Sequence, residues 1–365
     1  MATNPDDLAP RSPRVRIQVN GISVDSVLHA DFTASGSCKS SKFEVIVSLI
    51  GGSQTTQWLN EITGRVALEI FLRIRKSDDE ISMFEGFVDN ISLDPIQKIA
   101  RLRGRDYSAL LASSTYQESY QNQTSSEIAA TIAARHGFNS NIVATTALVG
   151  SYQSDSFSQL LLNAHSRITS EWDLLIHLAK IEDFELFVIG KTLVFAPITS
   201  LQSNNLVLTP GMATKISFQK TCPLYEQTTL TVKSWNSWLG QEARYSGGPS
   251  TTNSLPDAIT MADTSGMQIA IIKPNLTDQS AQNMALRYID TLMRQILNVD
   301  VVMPGELDLS PYDILSINGG GTDFDTDYVV KSIRRHFSAT AGFSEYIRGY
   351  ASGTTSGIPE GSAAT

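Results

Sequence analysis

Short runs in which apolar and polar residues alternate recur through most of this chain, and a side-chain period of two is the signature of a strand with one buried face. Val15, Ile17 and Val19 alternate with Arg16, Gln18 and Asn20 before Gly21 ends the run. Similar runs lie at Phe43 to Leu49, Val66 to Ile74, Met83 to Leu93 and Ile99 to Arg105, separated by Gly, Ser, Asp and Pro. Their number and spacing predict a small antiparallel β domain, a barrel or a sandwich, over residues 14–115, preceded by an N-terminal arm at 1–13.

Beyond the polar stretch Tyr116 to Gln123 the period changes. Thr124-Ser125-Ser126-Glu127 has the form of a helix capping box, Ile128, Ala129, Ile132 and Ala133 give one helical face, and Gly137 stops it. A second helix is predicted at Ser170 to Ile181, with Trp172, Leu175, Ile176 and Ala179 on its apolar face. Phe184 to Ile189 and Thr192 to Phe195 are β-prone runs joined by Gly190-Lys191, a pair suited to a type II′ hairpin. Residues 116–200 therefore read as an α+β domain.

Period two returns at Leu206 to Leu208, Ile216 to Phe218, Thr228 to Trp235, Val329 to Phe337 and Phe343 to Tyr350, which predicts a second β domain over 201–350. The polar stretch Asn236 to Thr264 interrupts it as an expected surface excursion. A helix is predicted at about 277–296, where Ala281, Met284, Ala285, Tyr288 and Leu292 share a face. The small, polar residues 351–365 are expected to form a mobile tail. The fold class is thus mainly β with an α+β middle domain.

Composition narrows function by exclusion. The chain has 365 residues, of which 41% are hydrophobic, enough for two or three cored domains. Its formal charge of -9 weighs against phosphate capture, which needs a surplus of Lys and Arg on one face. Met1 to Pro10 carries Asp6 and Asp7 and no apolar run, so no signal peptide is expected there. No stretch approaches the roughly 18 apolar residues of a membrane-spanning helix, and assembly in the cytoplasm is expected. Cys38 and Cys222 stand alone and read as reduced thiols rather than a disulfide or zinc site.

Motifs of catalysis are equally sparse. His29, His136, His165, His177 and His336 are scattered and none belongs to a helical ligand pair, so no metal site and no cofactor are expected. Asp323-Phe324-Asp325-Thr326-Asp327 has the acid spacing that opens a calcium loop, but Tyr328 stands where the loop needs Gly and Arg334 where it needs Glu. After Gly319-Gly320-Gly321 these acids read as decoration of a hairpin tip. The nucleophile elbow, the P-loop and the dinucleotide fingerprint are missing. Glu85, Asp89 and Asp106 read as solvated strand charges. Trp235 and Trp238 could stack on a sugar or pack in a core or interface. Arg334-Arg335-His336 is too short a basic run for nucleic acid. No catalytic residue is assigned, and the chain is not expected to be an enzyme.

The two β regions echo each other. Gly86-Phe87-Val88-Asp89-Asn90-Ile91 followed by Leu102-Arg103-Gly104 parallels Tyr328-Val329-Val330-Lys331-Ser332-Ile333 followed by Ile347-Arg348-Gly349. Three stretches also resemble a known family. They are Phe84-Glu85-Gly86-Phe87-Val88 running into Gly104-Arg105-Asp106-Tyr107-Ser108; Asn122 to Ala129 with Glu171-Trp172-Asp173-Leu174-Leu175 and Gly190 to Phe195; and Leu309 to Asp313 with Asp327-Tyr328-Val329-Val330. In this order they are similar to the phage tail hub proteins called late control D proteins, related to the hub portion of contractile-tail baseplates and of type VI secretion spike proteins. The likeness spans about Arg14 to Gly349 and departs at Ser310-Pro311-Tyr312-Asp313, where the family has Pro-Gly-Asp. The insertion 236–264 has no match. Phe84, Gly86, Gly104, Asp106, Trp172 and Tyr328 occupy family-motif positions, with structural rather than catalytic roles.

The resemblance implies a homotrimer in which each subunit contributes two tube-like antiparallel β-barrel domains flanking the small α+β domain. Six such barrels would form a ring that stacks on a six-fold tail tube protein and seats a trimeric spike. Baseplate wedge or tail-tip proteins and a tape measure protein complete the implied partners. DNA would pass through the channel without specific binding, and the protein would reside in the virion. Nothing after Gly349 resembles a spike needle, an OB domain or a lysozyme, so those parts are expected on separate polypeptides. The competing readings are a tail-tip adhesin that binds carbohydrate through Trp235 and Trp238, and a peptidoglycan hydrolase.

Overall fold

The computed structural model describes residues 11–36, 38–50, 58–59, 64–75, 78–115, 120–146, 148–149, 151–152, 160–162, 170–202, 204–221, 229–236, 240–247, 268–273, 278–294, 296–305, 309–322 and 324–351. The alternating runs of the first region become strands β1 (Arg11–Val19), β2 (Ile22–Val24), β3 (Val27–Ser35), β4 (Lys42–Ser48), β5 (Val66–Arg75), β6 (Ile81–Asp94) and β7 (Ile99–Asp106). They pair antiparallel in the order β3-β4-β7-β6-β5-β1-β2. Val15, Ile17 and Val19 of β1, Val45 and Val47 of β4, Leu68 and Ile70 of β5 and Phe32 of β3 share one buried core, so the row curls over a common interior. Each such side chain contributes about 1.5–3 kcal/mol on leaving water.

The middle region holds α1 (Ser108–Ser113), β8 (Tyr120–Gln121), α2 (Ser125–Arg135), β9 (Asn139–Ile142), β10 (Ser151–Tyr152), β11 (Leu160–Leu162), α3 (Glu171–Glu182), β12 (Glu185–Ile189) and β13 (Thr192–Ala196). The capping box forms as the sequence predicts: the Thr124 side chain accepts from the Glu127 amide at 3.3 Å, and Glu127 Oε2 accepts from the Thr124 amide at 2.9 Å. Ile128, Ala129, Ile132 and Ala133 are fully buried. On α3, Trp172, Leu175 and Ala179 are buried as expected, but Leu174 and Leu178 complete the face and Ile176 is only half-buried. The helix packs against α1, α2 and β12, so its apolar arc is wider than one stripe. At the β12–β13 turn φ is 51° at Gly190 and negative at Lys191, as a type II′ pair requires.

The last region contains β14 (Asn205–Leu208), β15 (Lys215–Lys220), β16 (Thr229–Asn236), β17 (Gln241–Gly247), β18 (Gln268–Ile272), α4 (Asp278–Met293), β19 (Leu297–Pro304), β20 (Ile314–Ile317), β21 (Asp327–Ser338) and β22 (Gly342–Ala351). The expected surface excursion 236–264 is corrected in part, because β17 lies inside it and pairs antiparallel with β16. Its Ala243 and Tyr245 turn toward α4, an alternation hidden in the sequence by the Ser and Gly around it. Residues 237–239 and 248–264 of that stretch lie outside the described residues, as do 1–10 and the expected tail from 352 on. Strands β16, β17 and β18 form a separate three-stranded sheet whose inner face packs on Ala281 and Ala285 of α4.

The echo read from the sequence reappears in strand order and register. The row β3-β4-β7-β6-β5 and the row β15-β19-β22-β21-β20 are both wholly antiparallel. In each row the chain visits the strands in the order first, second, fifth, fourth, third. Val88 pairs with Gly104, a bulge follows, and Asn90 and Ile91 then pair with Arg103 and Leu102. Val330 pairs with Gly349, a bulge follows, and Ser332 and Ile333 then pair with Arg348 and Ile347. The β16–α4 segment lies between β15 and β19, where the first row has only the short link from Gly36 to Ser41. Flanking strands differ: β1 runs antiparallel to β5, whereas β14 runs parallel to β20. Strand β21 also pairs antiparallel with β3, from Ser332↔Ser35 to Ser338↔His29, so both rows belong to one 13-stranded sheet.

Candidate functional site

The family-motif residues are placed by backbone contacts rather than by a shared cleft. Phe84, on β6, packs edge-on against Phe43 at 5.3 Å and Phe32 at 6.2 Å in the first core. Gly86 and Gly104 sit where β6 and β7 approach closely. A Cβ at Gly86 would lie 2.2 Å from the Arg105 carbonyl oxygen, and one at Gly104 would lie 1.9 Å from that of Phe87. Only glycine fits such an approach.

Asp106 departs from the sequence expectation of a solvated strand charge, being 3% exposed. Its Oδ2 accepts from the Ser41 amide at 2.6 Å, and its Oδ1 accepts from the Ser108 amide at 3.1 Å and from the Ser108 hydroxyl. Burial pushes this carboxyl above its ordinary value, against the pull of those hydrogen bonds. The side chain ties the β3–β4 link to the start of α1. Trp172 lies in the middle core. Tyr328 is fully buried in the last core and donates to the Phe324 carbonyl at 2.9 Å, and burial, then Asp325, pushes its phenol up to about 12. Four of the six motif residues thus meet at the β6–β7 hairpin, while Trp172 lies in the middle core and Tyr328 in the last.

At the departure from Pro-Gly-Asp the chain makes a turn, the Asp313 amide donating to the Ser310 carbonyl at 3.2 Å. Tyr312 adopts φ 76°, the left-handed conformation a glycine would take there. Packing holds it: the ring is 1% exposed, stacks on Phe187 at 5.2 Å, and its hydroxyl donates to Glu185 Oε2 at 2.8 Å. Asp313 beside it accepts from the Ser310 and Asn204 amides at 2.7 and 3.1 Å.

Other acidic residues are engaged locally. Asp325 receives the amides of Gly319, Gly320 and Gly321 at 3.2, 3.1 and 2.8 Å, and Asp327 accepts from the Ser316 hydroxyl. This nest uses the Asp325 carboxylate as the internal anion of the glycine loop. Asp323 lies outside the described residues. Asp89 pairs with Arg105 at 2.7 Å, and Glu85, raised by burial and then by Glu69, faces Glu69 across β5 and β6. An open recess over β3, β4 and β7 is lined by Asp31, Glu44 and Asp89 together with Arg334, Arg103 and Arg105, which pair with them in that order. Each of these acids carries a cation, and Lys42, which also lines the recess, leaves one positive charge over.

The basic run splits across β21. Arg335 points inward, donating to Glu345 at 2.6 Å and to the Leu309 carbonyl, while Arg334 and His336 point outward over β3. There Arg334 Nε donates to both Asp31 oxygens, at 3.0 and 2.9 Å. His336 Nδ1 stands 3.5 Å from Asp31 Oδ2, and the His29 and His336 rings meet edge to face at 4.7 Å. Burial, then the neighbouring His336, lowers the pKa of His29. Burial would raise the Asp31 carboxyl, but Arg334 and His336 outweigh it and hold it below its ordinary value. Sequence reasoning kept these histidines apart. His29 and Asp31 sit at strand spacing on one face, but His336 reaches them only through a long-range register. His165 and Trp238 lie outside the described residues, whereas Trp235 is 60% exposed on β16 and so is not a core residue.

No protein-family model and no curated protein sequence matches the chain. Solved structures do. The 43 kDa tail protein of prophage MuSo2 from Shewanella oneidensis matches at 13% identity and a TM-score of 0.67, covering 93% of this chain and 98% of that one. A tail protein from Neisseria meningitidis matches at 12% identity and a TM-score of 0.69, covering 94% and 97%. An Escherichia coli component of the type VI secretion system matches at 9% identity and a TM-score of 0.57, covering 92% and 76%. The likeness is one of fold: over nearly its whole length the chain has the mainly β fold of these tail and secretion-system proteins. Among the described residues, no helix is long and apolar enough to cross a membrane.

Proposed function

We propose that a chain with this fold serves as a structural, non-catalytic subunit of a phage-type tail, namely the hub of its baseplate or tail tip. In this reading residues 14–115 and 201–350 are two tube-like barrel domains, and 116–200 is the α+β domain between them. The observation that supports it most is the five-strand row present twice with one strand order and one bulge position. Two equivalent units in each of three subunits make six, which lets a three-fold assembly stack on a six-fold tube and seat a trimeric spike. Wedge or tip proteins and the tape measure protein are its further neighbours in the virion. The charge of -9 suits a channel that DNA crosses without being held.

Light scattering and native mass spectrometry of the full chain test this reading, with a trimer that co-purifies with tube and spike subunits as the expected result. A monodisperse monomer indifferent to both would sink it. One observation favours a second reading: Trp235, 60% exposed, and Ile272, 80% exposed, lie on the outer face of the inserted sheet. A carbohydrate-binding adhesin would use that face. Glycan arrays with Trp235→Ala as control separate the two, since the hub reading expects no sugar dependence.

A further inference from the structure

The seam where β3 meets β21 carries three metal-ligating side chains on its outer face. His29 and Asp31 are two apart on β3 and so point the same way, and His336 is the direct cross-strand partner of Asp31. One ligand atom from each lies within 4.8 Å of the other two, and all three side chains are half-buried. Tetrahedral zinc, with bonds of about 2.0–2.2 Å, needs ligand atoms roughly 3.4 Å apart. Side-chain rotations of about 1 Å therefore close the set around an ion without moving the strands, whose ladder already fixes the three Cα positions.

We propose that His29, Asp31 and His336 form a binding site for a divalent transition metal of the zinc class. Two imidazoles and one carboxylate match that class, whereas magnesium and calcium demand oxygen ligands throughout. The recess side is open, so a water completes the coordination, and the metal joins the first strand row to the second across their common ladder. Arg334 is the built-in competitor: its guanidinium holds both Asp31 oxygens, and an arriving cation must share or displace it. The site stands on geometry alone and does not depend on the tail assignment.

Calorimetric titration of the untagged full chain with zinc chloride tests the site, with magnesium and calcium chlorides as controls. Cobalt(II) absorbance serves as an independent readout of nitrogen ligation. The expected result is one zinc-class ion per chain and no response to magnesium or calcium. His29→Ala and His336→Ala, each checked for an unchanged circular dichroism spectrum, are expected to weaken binding by at least about tenfold. Arg334→Gln is expected to tighten it. Failure of the wild-type and Arg334→Gln chains alike to take up zinc overturns the proposal, as does wild-type affinity in the two histidine variants.

Discussion

At the scale of single residues, the chain is governed by close backbone approaches that the sequence marks only as glycines. Gly104 and Gly349 hold matching places in the two strand rows, yet the space around them differs. A Cβ at Gly104 would collide with a carbonyl oxygen at 1.9 Å, whereas at Gly349 the nearest atom lies at 3.1 Å. Gly104→Ala is therefore expected to cost about 1–3 kcal/mol and Gly349→Ala clearly less, as read from urea midpoints at unchanged slope. Tyr312 shows the reverse exchange, a bulky residue held at positive φ because its ring and hydroxyl find partners. The motif comparison located that turn, but nothing local foretold that Phe187 and Glu185 would reach it. The His29, Asp31 and His336 group was illegible for the same reason, since residues 307 apart meet only through strand register. Asp106 reads as solvated from its charge alone, although alternation places it in phase with Ala100, Leu102 and Gly104 on the buried face of β7.

Elements were most legible where their signals are local. The capping box at Thr124 and Glu127 forms with both reciprocal hydrogen bonds. Thr124→Ala is expected to lower stability by about 1 kcal/mol, measured by thermal melting, because one orphan amide of α2 loses its acceptor. The type II′ pair at Gly190 and the helical face of α2 followed from turn chemistry and periodicity in the same way, whereas on α3 periodicity gave Trp172, Leu175 and Ala179 but not Leu174 and Leu178. Strands β2, β3, β8 to β11 and β18 to β20 passed unread. Strand β3 mixes His29, Asp31 and Thr33 with Ala30 and Phe32, so its alternation is real but chemically diluted. Strand β20 is a four-residue run buried almost throughout, and such runs carry no period. Strand β17 was lost in a polar stretch because only Ala243 and Tyr245 mark its inner face.

At the scale of the whole molecule, the β16–α4 segment is the part that breaks the symmetry between the strand rows. Its two ends lie together, with the Thr221 amide donating to the Ile296 carbonyl at 2.7 Å, and its core is its own. Replacing residues 222–295 by a short link is therefore expected to leave the rest folded. Loss would be limited to docking contacts such as Arg294 on Glu185, with the β-sheet circular dichroism signal and cooperative melting retained. Loss of the melting transition would show the segment to be integral instead. The ladder between β3 and β21 acts in the opposite sense, binding what the duplication separates. Its hydrogen bonds lie side by side across the strands, so a pull along the strand direction loads all of them at once rather than peeling them in turn. A tension applied that way meets a shear-loaded joint at the seam between the two strand rows.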